Sequence, residues 1–223
     1  MWDATFKKNN DGVRIKMCVV SQIMKEKKIL HPSDALSHMK DEELVAEVLK
    51  NPQVYGVLME RYEEKLTRYI MRISASSRED AEDILQDVFL SAYRNLNEFD
   101  QDLKFSSWIY RITHNKVISH YRKISARPKT TTYEGDNELL NILASDHDME
   151  ADLQRKYDAN EIHDVLDRMD ERYREVLVLK FIEDKDYKEI SDILQKPMGT
   201  VATLINRAKK QFRERLISNG AVK

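Results

Sequence analysis

The chain is poor in the residues that make turns and cross-links. It has only 5 glycines, 4 prolines and a single cysteine in 223 residues. So few turn formers argue against a fold of many short strands and favour long helices. One thiol, Cys18, cannot close an internal disulfide, which suits a reducing cytoplasm. No apolar run approaches the roughly 18 residues of a membrane span. The opening MWDATFKKNNDGVRIKMCVV lacks the hydrophobic core of a secretory leader. Neither membrane insertion nor secretion is expected, and the location expected is cytoplasmic.

Charge, by contrast, is plentiful. Charged residues make up 34% of the chain, yet the net is only -2. The near-balance hides a partition. From Leu103 to Tyr133 there is no acid, while Lys104, Arg111, Lys116, Arg122, Lys123, Arg127 and Lys129 are present. From Glu134 to Asp158 acids dominate, and from Ile193 to Arg213 they vanish again beside Lys196, Arg207, Lys209, Lys210 and Arg213. Local patches, not the total, govern attraction to phosphates, so a nucleic-acid partner stays open.

Periodicity places these patches. Residues 1–39 have no clear repeat and read as an N-terminal extension whose polar mix suits partial disorder. Asp41 precedes a short amphipathic pattern of Leu44, Val45, Val48 and Leu49. Asn51-Pro52 reads as an N-cap with proline at the first helical position, followed by a stripe of Tyr55, Leu58, Met59, Tyr62, Leu66, Tyr69 and Ile70. A further helix start at Ser77-Arg-Glu-Asp80 leads to Ala81, Ile84, Leu85, Val88, Phe89, Ala92 and Leu96. After a loop at 97–104 comes FSSWIYRITHNKVISHYRK (105–123). Residues 40–127 therefore form a compact helical domain.

Residues 128–158 are aperiodic and acidic, and are read as a flexible linker. A second domain, 159–217, carries Val176, Leu177, Leu179 and Phe181 in one apolar pattern and ends in a helix-turn-helix. Asp186-Tyr-Lys-Glu189 predicts a capping box, Ile190, Ile193 and Leu194 a buried face, and Gln195-Lys196-Pro197 a break. Val201, Ile205, Ala208, Phe212 and Leu216 then form one apolar stripe. The fold class expected is all-α, two small helical domains joined by the linker.

On the helix at 105–123, Phe105, Trp108, Ile109 and Ile112 share a core-like face, while Lys116, His120 and Lys123 continue it past the core. Arg111, Asn115 and Arg122 lie on an adjacent strip. Arginine offers a forked donor set to phosphate, asparagine can pair with a base edge, and Trp108 offers one ring edge for stacking. On the last helix Thr200, Thr203, Asn206, Arg207 and Lys210 fall opposite the apolar stripe, as a recognition helix presents them to the major groove. A solvated charged exterior would account for the bases alone. It accounts less well for the long acid-free run, or for capping box, tight turn and apolar helix in succession.

These residues resemble the extracytoplasmic-function (ECF) sigma factors, promoter-recognition subunits of bacterial RNA polymerase. DAEDILQDVFLSAY (80–93) is similar to the family's polymerase-binding segment, FSSWIYRITHN (105–115) to its −10 segment, and RYREVLVLKFIEDKDYKEISDILQKPMGTV (172–201) to its −35 module. The resemblance implies core RNA polymerase and promoter DNA as partners, and it leaves an anti-sigma factor open. It assigns Asp80, Asp83, Gln86 and Asp87, three or four apart on one helical side, to the polymerase clamp. It assigns Trp108, Arg111, Asn115, Arg122 and Lys123 to the −10 element, and Thr200, Thr203, Asn206, Arg207 and Lys210 to the −35 element. The loop at 97–104 would capture a base swung out of the duplex, which costs a few kcal/mol.

The linker is consistent in length. About thirty residues span ~30 Å as a coil and ~100 Å extended, against ~70 Å for two turns of DNA. Departures from the pattern are Ser119 in place of a frequent acid, Lys185 at a usually apolar position, and Ala202 and Leu204 where basic contacts are common. No catalytic residue, metal or cofactor is expected. The competing readings are a stand-alone helix-turn-helix regulator, which leaves 40–127 without a role, and a DNA enzyme, for which no paired carboxylates or activated nucleophile are visible.

Overall fold

A computed structural model of the chain describes residues 34–74, 77–100, 103–124 and 164–220. The linker at 128–158 and nearly all of the N-terminal extension lie outside the described residues. Within them every regular element is helical and no strand occurs, as the scarcity of turn formers suggests. The chain divides into two units: Met1–Ile70 with Arg78–Lys123, and Met71–Ser77 with Ile124–Lys223.

The first unit is built on α1 (Asp41–Lys50), α2 (Tyr55–Ser74), α3 (Arg78–Asn95) and α4 (Phe105–Ile124). Asn51 Oδ1 accepts from the Gln53 N–H at 3.2 Å, opening a 3-10 turn at Pro52–Val54 that runs into α2. Leu44, Val45 and Val48 of α1 are buried, as are Tyr55, Leu58, Tyr62, Leu66 and Tyr69 of α2. Ala81, Ile84, Leu85, Val88, Phe89 and Ala92 of α3 complete the interior. Each large apolar side chain buried this way contributes roughly 1.5–3 kcal/mol.

Two polar devices fix α1 against this core. Asp41 accepts hydrogen bonds from Arg61 and the Tyr62 hydroxyl, and Arg61 also donates to the Met39 and Ser37 carbonyls at 3.0 Å each. Burial, then the bond to Asp41, hold the Tyr62 phenol far above its usual range, so it stays a donor. Glu42 Oε1 accepts the Phe105 N–H at 2.9 Å and so satisfies a first-turn donor of α4.

The second unit contains α5 (Glu171–Leu177), a π-helical turn (Val178–Ile182), α6 (Tyr187–Leu194) and α7 (Met198–Gly220). Asp170 caps α5 by accepting from the Arg172 N–H at 3.1 Å. The capping box at Asp186 is present: the Glu189 N–H donates to Asp186 Oδ1 at 2.8 Å, and the Asp186 N–H to Glu189 Oε2 at 3.0 Å. Gln195 ends α6 in the left-handed region at φ 52°. Ser191 Oγ clasps the turn by donating to the Lys196 carbonyl at 2.6 Å. Val201, Ile205, Ala208, Phe212 and Leu216 are all buried, as the stripe in α7 requires.

Three expected core positions differ. Leu49, at the end of α1, is exposed, since Leu44, Val45 and Val48 already form the buried face. Ile112 is only half-buried, because the buried stripe of α4 steps through Phe105, Ile109, Thr113 and Val117. Steps of four residues drift around a helix of 3.6 per turn, so the core face moves away from Ile112 and reaches Val117 rather than stopping at mid-helix. Phe181 is also half-buried, with the Lys209 ammonium 5.8 Å from its ring centroid. It sits within the π turn, whose extra residue rotates it off the interior face.

Candidate nucleic-acid interface

In the first unit, α3 and α4 enclose an open groove of about 730 Å³. Its α3 wall includes Asp83, Gln86 and Asp87, and its α4 wall Asn115, Lys116, Ser119 and His120. The wheel of α3 explains the first wall. Ala81, Ile84, Leu85 and Val88 face inward, which leaves Asp80, Asp83, Gln86 and Asp87 exposed on the other side. The drifting core stripe explains the second, since it leaves Ile112, Lys116 and His120 half-buried beside the exposed Asn115 and Ser119.

Two sets of residues read from the sequence as separate surfaces thus meet in one groove. The fourth acidic-side residue, Asp80, lies one turn beyond it on α3. On α4, Arg111 is half-buried and Arg122 exposed, and neither lines the groove; the side chain of Lys123 lies outside the described residues. Lys116 and His120 were read as continuing the core-like face of α4 past the core, but were not assigned to the −10 element. His120 Nδ1 is buried and has no hydrogen-bond partner among the described residues. The signal that finds them is the i, i+4 row from Ile112, once Thr113 and Val117 mark where the interior lies.

Trp108 sits elsewhere. It is 8% exposed, with ring centroids 5.3 Å from Phe99 and 5.6 Å from Phe105. Phe105 also meets Tyr62 at 5.5 Å and Phe99 at 5.6 Å. This aromatic cluster holds the loop before α4 by Phe99, while Leu103 and Lys104 remain exposed. Trp108 therefore packs rather than projects, and at most an edge is accessible.

In the second unit, Thr200, Thr203, Asn206, Arg207 and Lys210 are all exposed on α7. Thr203 Oγ1 donates to the Gly199 carbonyl at 2.9 Å, so its proton is engaged within its own helix. Lys210 lies 3.9 Å from Glu214 with both side chains well exposed, an ion pair of little consequence. Ala202 and Leu204 are half-buried at the edge of the stripe.

Below α7 lies a buried carboxylate. Glu175 on α5 is 5% exposed. Burial, then the neighbouring Glu171, push its carboxyl up to about 7, opposed by Lys196 and Arg174. Lys196 belongs to the turn that aims α7.

Residues 58–127 match the Sigma-70 region 2 family, and residues 159–212 match Sigma-70, region 4. The ECF RNA polymerase sigma factor SigW of Bacillus subtilis is 33% identical over 182 residues, which covers 77% of this chain and 94% of that relative. The RNA polymerase sigma-H factor of Pseudomonas aeruginosa is 29% identical over 184 residues, covering 78% and 93%. Among solved structures, CnrH in complex with the cytosolic domain of CnrY shares the fold at 24% identity and a TM-score of 0.58, over 80% of this chain and 97% of that one. Region 2 and region 4 in order, with a relative one-third identical across almost its full length, make this chain an ECF-group RNA polymerase sigma factor, a subunit that directs core polymerase to promoters.

Proposed function

We propose that the first unit holds core polymerase by the acidic side of α3 and promoter −10 DNA by the polar side of α4. In this reading Asp80, Asp83, Gln86 and Asp87 meet a basic surface of the clamp. Arg111, Asn115 and Arg122, joined by Lys116 and His120, meet the −10 strand. The observation that supports it most directly is the groove, which sets an acidic wall on α3 opposite a polar wall carrying Lys116 on α4. A basic surface is drawn to the first wall and a phosphate backbone to the second.

The loop at 97–104 is the element proposed to receive an extruded base, held in place by Phe99 at one end and by the Glu42 cap on Phe105 at the other. The second unit reads the −35 element through Thr200, Thr203, Asn206, Arg207 and Lys210, the domain boundaries being 40–127 and 159–217. The protein acts by binding alone, with no covalent step of its own, alongside polymerase in the cytoplasm. No described helix is long and apolar enough to cross a membrane.

The test is transcription from genomic DNA by purified core polymerase with and without the full chain. New start sites that depend on the chain are expected. If Asp83→Asn with Asp87→Asn leaves holoenzyme assembly untouched, the α3 assignment is wrong.

A further inference from the structure

We propose that Gly199 is a close-approach point, where the main chain of α7 comes against the sugar–phosphate backbone of the −35 DNA. The inference rests on α7 being the recognition helix and adds a positioning role for a residue with no side chain. Three observations carry it.

The fold does not need glycine here. Gly199 lies in the first turn of α7, and no described glycine has a positive φ. Any residue could adopt its backbone, and after proline glycine is the poorest helix former. Packing does not need it either, since a Cβ built on Gly199 would meet no heavy atom within 4 Å. Such open space at a helical glycine means that none of the described residues fills the position.

The register supplies the outside partner. Gly199, Thr203, Asn206 and Lys210 stand at i, i+4, i+7 and i+11, one straight row along the exposed side of α7. Gly199 is therefore the first member of the row whose other members carry the DNA contacts. A recognition helix meets the duplex with its N-terminal residues, so the bare member stands at the end of the row nearest the strand. The Thr203 hydroxyl holds the Gly199 carbonyl at 2.9 Å, fixing the backbone at that spot. Met198, 55% exposed, and the exposed Thr200 flank the gap. A methyl at 199 would stand the helix off the duplex.

The test is Gly199→Ala in the full chain. Two quantities are read: the melting temperature, and the affinity of the holoenzyme for a short duplex carrying the upstream element of a promoter it transcribes. Alanine fits the space and favours helix, so the melting temperature should rise by a few degrees. Affinity should fall roughly tenfold, the equivalent of losing one good contact. The slope of log affinity against log salt should stay unchanged, because no cation is lost. Affinity within twofold of the parent overturns the proposal. So does a fall in melting temperature together with affinity, which would make the glycine structural. If the parent holoenzyme transcribes no promoter, it is the sigma-factor reading that fails, before Gly199 is tested.

Discussion

The first unit makes its candidate surface from two helices and the groove between them, whereas the second makes its own from one face of a single helix. On α7 every proposed contact is exposed, and the interior stripe beneath it is unbroken from Val201 to Leu216. On α3 and α4 the proposed contacts range from exposed to half-buried, and one, Trp108, belongs to the aromatic core. A surface on one helix can lose a side chain without disturbing its support. A surface lining a groove shares atoms with the packing, so recognition and stability are coupled there. Mutations should separate cleanly in the second unit and blur in the first.

The sharpest way to break that contrast is Trp108→Ala. Truncating a tryptophan packed on Phe99 and Phe105 should cost about 3–5 kcal/mol, seen as an early unfolding transition in urea. Polymerase binding and promoter opening should then fall together. If opening alone fails while stability holds, Trp108 is a contact residue after all.

A smaller effect, of opposite sign, is expected beneath α7. Glu175 has its carboxyl raised from 4.5 to about 7, so between those values the folded state keeps a proton that the unfolded chain has released. Stability of the second unit should therefore rise as pH falls from about 7 towards 4.5, by on the order of 3 kcal/mol at most. Glu171 and Asp170 add to the cost of the charged form, and Lys196 and Arg174 relieve it. Glu175→Gln should flatten this dependence and melt higher than the parent at pH 8, in thermal scans across the range.

Next comes the double change Arg207→Ala with Lys210→Ala. It should lower affinity for the upstream duplex by roughly tenfold or more and reduce the salt slope by about 2, with unfolding unchanged. Altered unfolding would show that α7 does not separate support from contact. The smallest effect belongs to Glu214→Ala, which removes an exposed partner 3.9 Å from Lys210. It should shift stability by less than about 0.5 kcal/mol in denaturant titration.

The same contrast explains what could be read from the residues alone. The second unit was legible because its signals are local: the capping box at Asp186 and Glu189, the break at Gln195, and the stripe in α7 each occupy a few neighbouring residues. In the first unit the helices were legible for the same reason, and Asp80, Asp83, Gln86 and Asp87 were correctly grouped on one side of α3. The groove was not legible, because it depends on which helices lie beside each other. Periodicity marks a buried face but does not name its neighbour. Ile112 was placed inside by counting from Phe105, although the real stripe drifts to Val117. Phe181 was misplaced by the π turn, which no propensity in VLKFI announces. The Glu42 cap on Phe105 spans the unit and has no local signature at all.

That π turn carries a consequence for how the gene can change. Between Val178 and Ile182 the chain holds one residue more than an α-helical turn would use. Deleting one codon there would let the stretch close into an ordinary α-helical turn, because the wider turn advances the chain about as far, and through about the same angle, as an α-helix one residue shorter. Asp186, the turn at Lys196 and α7 would keep their aim, while the side chains between Val178 and Ile182 would be redistributed around the turn. This segment can thus lose one residue more cheaply than the helices on either side of it.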